Sequence, residues 1–68
     1  MAVATIEVKG MTCDGCVNSV TRALKAVPGV QSADVSLEKQ RAVVTFEDGK
    51  ASVADLKQAV EDAGYDVD

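Results

Sequence analysis

Apolar and polar positions alternate at the start of the chain: Ala4, Ile6 and Val8 are separated by Thr5 and Glu7, and Lys9 follows. A period of two puts the apolar side chains on one face of a strand. Gly10 to Asp14 breaks the alternation and reads as a loop. Val17, Val20, Leu24 and Val27 then recur at steps of three, four and three, the stripe of an amphipathic helix. Lys25 falls in the last turn, where a cation suits the helix dipole, and Pro28-Gly29 ends the run.

The second half repeats this grammar. Ala33, Val35 and Leu37 alternate with Asp34 and Ser36, and Ala42, Val44 and Phe46 alternate again after the polar turn Glu38-Lys39-Gln40. Two such runs joined by a short turn predict a β-hairpin. Glu47 to Lys50 is a turn cluster, and Ser52 with Asp55 three positions on resembles a capping box. Val53, Leu56, Val60 and Ala63 form the expected stripe of a second helix, with Gly64 at its C′ position. Tyr65 and Val67 remain for a short last strand.

The predicted order is β-α-β-β-α-β. This is an α+β, ferredoxin-like arrangement: a four-stranded antiparallel sheet with two helices on one face. Right-handed crossovers place the first and third strands at its centre. The opposite face would be wet, which suits Thr5, Glu7, Ser32, Asp34, Ser36, Arg41 and Thr45.

Composition narrows the function. At 68 residues the chain reads as one domain, near the lower size limit for a core without staples. It has no histidine and no tryptophan, and Tyr65 and Phe46 are its only aromatics. So short a chain leaves little room for a substrate pocket, so an enzyme is not expected. A net charge of −4 and the scarcity of rings argue against nucleic acid as a partner. No stretch is apolar for the roughly 18 residues that membrane insertion requires. The first ten residues lack the basic-then-apolar order of a secretory signal, so the expected location is cytoplasmic. Thiols stay reduced there, which makes metal or redox work more natural than a structural disulfide.

Both cysteines lie in "GMTCDGC", Gly10 to Cys16. Cys13 belongs to the loop and Cys16 to the first turn of the helix, where backbone N–H groups and the dipole favour a thiolate. An acidic thiol serves redox attack and metal binding equally, so ligand count discriminates better. Zinc prefers four ligands in a closed tetrahedron, and the chain holds no histidine and no further cysteine. Soft ions that accept two thiolates match better, Cu(I) first and Hg(II) second. A two-ligand site near the surface also suits handing an ion on, because a partner thiolate can join before the first ligands leave.

These residues carry a family resemblance. "GMTCDGC" followed by "VNSVTRAL" resembles the loop and helix of heavy-metal-associated domains, and "PGV", "VVTF" and "DAGYDVD" fit as well. The likeness covers essentially residues 1–68 as a single such domain. It implies a bacterial-type cytosolic copper chaperone that binds Cu(I) through Cys13 and Cys16. Delivery would be to the related metal-binding domain of a copper-transporting P-type ATPase. Mercury-binding periplasmic members resemble the chain too, and zinc- or cadmium-type members often carry an acidic residue where this chain has Thr12. A mercury or zinc carrier and a thiol-disulfide redox protein are therefore the rival readings. A homodimer sharing one ion through four cysteines is a further expectation.

Four other features have competing readings. Met11 could offer a thioether to Cu(I), but the resemblance implies that it anchors the loop from within the core. Tyr65 is either a half-buried strand residue or a shield beside the metal loop, where related copper chaperones carry a Gly-Tyr pair. Gly15 is expected to leave the loop backbone free to rearrange around an ion. Arg22 and Lys25 on the first helix, opposed by Glu61 and Asp62 on the second, are solvated charges or weak docking patches.

Overall fold

The computed structural model describes residues 1–67. Its elements are β1 (Ala2–Lys9), α1 (Asp14–Lys25), β2 (Val30–Ser36), β3 (Arg41–Phe46), α2 (Val53–Asp62) and β4 (Asp66–Val67). The strands form one antiparallel sheet in the order β2-β3-β1-β4, so β1 and β3 are central as expected. Two residues of β1 that the alternation did not include, Ala2 and Val3, pair with Phe46 and Thr45 of β3. β2 likewise begins earlier, at Val30, and its register with β3 shifts between Val30 and Ser32. Gln31 is the residue left over in that shift, which hid the start of the strand from a strict period of two.

One side of the sheet is dry. Ile6, Val8, Ala42, Val44 and Phe46 pack against Val20 and Leu24 of α1 and Leu56 and Val60 of α2, with Met11 and Ala51 closing the ends. Thr5, Glu7, Ser32 and Asp34 are exposed on the other side, while Ser36, Arg41 and Thr45 are half-buried among neighbouring strands. The stripe predicted for α2 is narrower than expected. Val53 is 42% exposed and Ala63 is also exposed, so Leu56 and Val60 alone anchor that helix. Val53 opens the helix and Ala63 caps it, and end residues reach past the sheet even when their spacing fits the stripe. Similarly, Val27 lies beyond the last turn of α1 and is only half-buried.

Local chemistry sets the ends of α2. The Ser52 hydroxyl accepts from Asp55 N–H, and the Asp55 carboxylate accepts from Ser52 N–H, a reciprocal capping box. At the other end Gly64 takes φ +97°, Gly64 N–H donates to Glu61 O and Tyr65 N–H donates to Val60 O. That pair of bonds is a Schellman motif, which needs the left-handed residue that glycine supplies without strain. Tyr65 is thereby delivered just ahead of β4 rather than within it. Replacing Ser52 by alanine removes one half of the box and leaves Asp55 N–H unpartnered. It is expected to lower stability by about 1 kcal/mol, read as a shift in the urea midpoint at unchanged slope.

Candidate metal centre

β1 ends at Lys9, and Gly10 turns the chain at φ +96° into the loop that carries the cysteines. A Cβ on Gly10 would lie 3.9 Å from Tyr65 Cδ1, so the Tyr65 ring sits against the start of the loop. Met11 follows and is 4% exposed, packed into the core. A thioether buried there holds the loop down, and the anchoring reading of Met11 is the one its position supports.

Cys13 is the N-cap of α1, with extended backbone and no side-chain capping bond. Its carbonyl accepts from Cys16 N–H and Val17 N–H at 3.0 and 3.2 Å, which starts the helix. Cys16 therefore stands one turn in, on the same side as Cys13, with the two sulfurs 3.4 Å apart. Both thiols are free, Cys13 exposed and Cys16 half-buried. Gly15 is part of the helical first turn rather than the loop, so it is less free than its sequence suggested. A Cβ there would lie 3.7 Å from Cys13 Sγ, and glycine keeps that flank of the sulfur open.

The surroundings favour a charged sulfur at Cys16. Its thiol is brought down to about 6, first by a hydrogen bond from the Thr12 backbone, then by Tyr65, Cys13 and the Thr12 hydroxyl, with burial opposing. Thr12 Oγ1 lies 3.8 Å from that sulfur. The Tyr65 phenol is in turn pushed up, chiefly because it hydrogen-bonds to Cys16, with burial adding to the effect and Ser19 opposing it. A phenol that stays protonated at neutral pH remains a donor to the thiolate.

Geometry restricts what the pair can hold. At the zinc–sulfur length of about 2.3 Å, sulfurs 3.4 Å apart would subtend about 95° at an ion. An ion held linearly between the two thiolates would need them further apart. Cys13, exposed and without a capping bond, is the side chain free to make that movement. Among the described residues no group of three or more histidine, cysteine or acidic side chains is placed to hold a metal ion. Asp14 therefore does not complete a zinc-type cage with the two thiols.

Several other residues fall outside the centre. Arg22 and Lys25 are exposed in the last turn of α1, far along the helix from its N-cap. Glu61 and Asp62 are exposed on α2, and Asp62 accepts from Gln58 at 2.9 Å. Sequence reading missed three contributors: the contacts of Thr12 with sulfur, the contact of Ser19 with Tyr65, and Gln40, which donates to Met11 O at 2.9 Å. None has a periodic signature. The Gln40 contact spans 29 positions and arises only when the hairpin folds back beside the loop.

The heavy-metal-associated domain profile matches residues 5–66. The chain is 49% identical over 67 residues to "Copper chaperone CopZ" of Staphylococcus saprophyticus, covering 98% of each chain. It is 52% identical over 61 residues to "Mercuric transport protein periplasmic component" of Salmonella typhi, covering 90% of this chain and 67% of that one. Among solved structures, a copper-binding domain from a P-type ATPase superposes with a TM-score of 0.98 at 41% identity, covering 100% of this chain and 92% of that one. With the profile running from β1 to β4 and relatives about half identical along the chain, the protein belongs to the heavy-metal-associated domain family.

Proposed function

We propose that the chain is a Cu(I) chaperone that carries one ion on Cys13 and Cys16 and passes it on by thiolate exchange. The observation that carries this reading is the pair of free thiols 3.4 Å apart at a helix start, which among the described residues is not joined by a histidine, further cysteine or acidic side chain into a larger metal-holding group. Two soft ligands without a closed cage select a soft ion and leave a coordination position for a partner's thiolate. The full-length likeness to a copper chaperone supports copper over other soft ions.

The recipient is the metal-binding domain of a copper-transporting P-type ATPase. Near-identity of fold with such a domain supports this, since two like loops can meet symmetrically around one ion. Two copies of this chain could share an ion in the same geometry, giving a metal-bridged homodimer. The likeness to a copper chaperone supports the cytoplasm as the place of action. Separately, no helix among the described residues is long and apolar enough to cross a membrane. A second reading, Hg(II) carriage, is favoured by the similar identity to the mercuric relative.

A competition titration decides between them. Cu(I), Hg(II) and Zn(II) are each offered against chelators of known affinity, with one tightly held Cu(I) per chain and weak Zn(II) expected. If Cu(I) is lost to a mild chelator while Zn(II) saturates the site, the copper reading is wrong. The pH dependence has a definite sign. A ligand thiol must shed its proton to bind. Above about 6 Cys16 is already a thiolate, and below that value the ion must displace its proton. Cu(I) affinity is therefore expected to fall with acidification, more steeply once pH passes below about 6. Affinity that stays flat as pH falls through and well below about 6 contradicts thiolate ligation.

A further inference from the structure

The turn between β2 and β3 carries an unusual backbone. Gln40 takes φ +52°, alone among the described non-glycine residues in the left-handed region. Glycine or asparagine would hold that position with less strain. What glutamine adds is a long carboxamide. Its Nε2 donates to Met11 O at 2.9 Å and to Leu37 O at 2.7 Å, and its backbone carbonyl accepts from Val8 N–H at 3.0 Å. Gln40 thus grips the chain on both sides of Gly10, at the end of β1 and in the metal loop. A residue held in a costly backbone conformation points to function when its side chain performs a task that glycine could not.

The bond to Met11 fixes the residue that stands beside the sulfur. Met11 C=O and Thr12 N–H belong to the same planar peptide group. Thr12 lies against Cys16, with its Oγ1 3.8 Å from the sulfur. A donor on the carbonyl end fixes the peptide plane and polarises the N–H at its other end. We infer that Gln40 is a positioning residue of the metal centre: by donating to Met11 O it fixes the Met11–Thr12 peptide and so holds Thr12 against Cys16 Sγ. Outer hydrogen bonds of this kind hold a ligating sulfur in place and slow its release of the ion. The inference rests on the reading of Cys16 as a metal ligand.

Three substitutions separate positioning from simple support of the fold. Gln40→Gly accepts the backbone conformation and removes the donor. Gln40→Glu keeps the shape but offers only acceptors at neutral pH. Gln40→Lys restores a donor on a stem of comparable reach. The first readout is amide hydrogen exchange at Thr12 in the metal-free protein, with the core strand residue Val44 as reference. In Gln40→Gly and Gln40→Glu, Thr12 exchange is expected to speed up by roughly tenfold relative to Val44, and Gln40→Lys to stay near wild type. The second readout is Cu(I) release to a chelator, expected to accelerate by roughly tenfold in the same two variants.

The inference is overturned by unchanged Thr12 exchange in Gln40→Gly, or by Thr12 and Val44 accelerating together. Wild-type Cu(I) release from a variant with a freed Thr12 amide overturns it equally. Should Gln40→Glu fail to fold, Gln40→Gly still decides. Failure of the copper reading is visible separately: the wild type would not retain Cu(I), or Cys16→Ser would retain it as well. The amide readout needs no metal and tests the Gln40 geometry in either event.

Discussion

Replacing Cys13 by serine is expected to abolish Cu(I) retention while leaving the metal-free protein as stable as before or more so. Cys13 occupies the N-cap of α1 with the extended backbone that the position demands, yet its thiol makes no capping bond. Serine is among the best residues there, because its hydroxyl accepts from an otherwise orphaned N–H of the first turn, worth up to about 1 kcal/mol. The metal loses far more. A hydroxyl is a hard, poor ligand for a soft ion. Losing one of two ligands should cost more than the roughly 10- to 100-fold that removal of an outer partner costs. Chelator competition and urea denaturation on one preparation give both numbers. If Cys13→Ser binds Cu(I) within threefold or so of wild type, against the 10- to 100-fold scale of even an outer partner, Cys13 is not a ligand. If binding and stability fall together, the N-cap argument is wrong.

Leu56→Ala is expected to show the opposite profile. Leu56 is fully buried on α2, and it and Val60 are the two residues through which that helix enters the core. Truncation removes three carbons and leaves a cavity, a loss of about 2–5 kcal/mol. A domain of this size holds only roughly 3–5 kcal/mol from its core, so a large unfolded fraction at room temperature is expected. Where the variant folds, its melting temperature should drop by some 4–8 °C per kcal/mol. The thiols lie on the loop and on α1, so Cu(I) binding should recover as the metal itself refolds the chain, since binding to the native state alone adds stability. A urea midpoint within experimental scatter of wild type would show that α2 is not held by Leu56.

The two expectations separate residues that make the fold from residues that use it. Cys13 occupies a helix position where serine would serve the helix better, and the function proposed here explains the cysteine. Gln40 occupies a turn position where glycine would serve the backbone better, and the Met11–Thr12 peptide explains the glutamine. In both cases a local structural preference is set aside where the chain meets the metal loop.

Much of the fold was legible because local rules agree with one another. The alternation of Ile6 with Val8, the Val20–Leu24 spacing, the Ser52–Asp55 box and Gly64 each place an element boundary or a buried face without reference to distant residues. The cysteine pair was legible for the same reason, since two residues between thiols at a helix start bring them to one side within a single turn. Extra residues in β1, the early start of β2 and the exposure of Val53 were not legible. They depend on where the sheet ends, which pairing and packing decide.

What the sequence by itself determined is therefore the set of elements, their order and the two thiols, because these follow from periodicity and from contacts a few residues apart. What only the tertiary structure decided is the setting of those thiols. Tyr65 reaches Cys16 because the Schellman turn returns the chain beside the loop, and Gln40 reaches Met11 because the hairpin places its turn against the end of β1. Hydrogen bonds across such distances leave no period in the sequence; they exist because packing one face of the sheet brings these turns to the same end of the molecule.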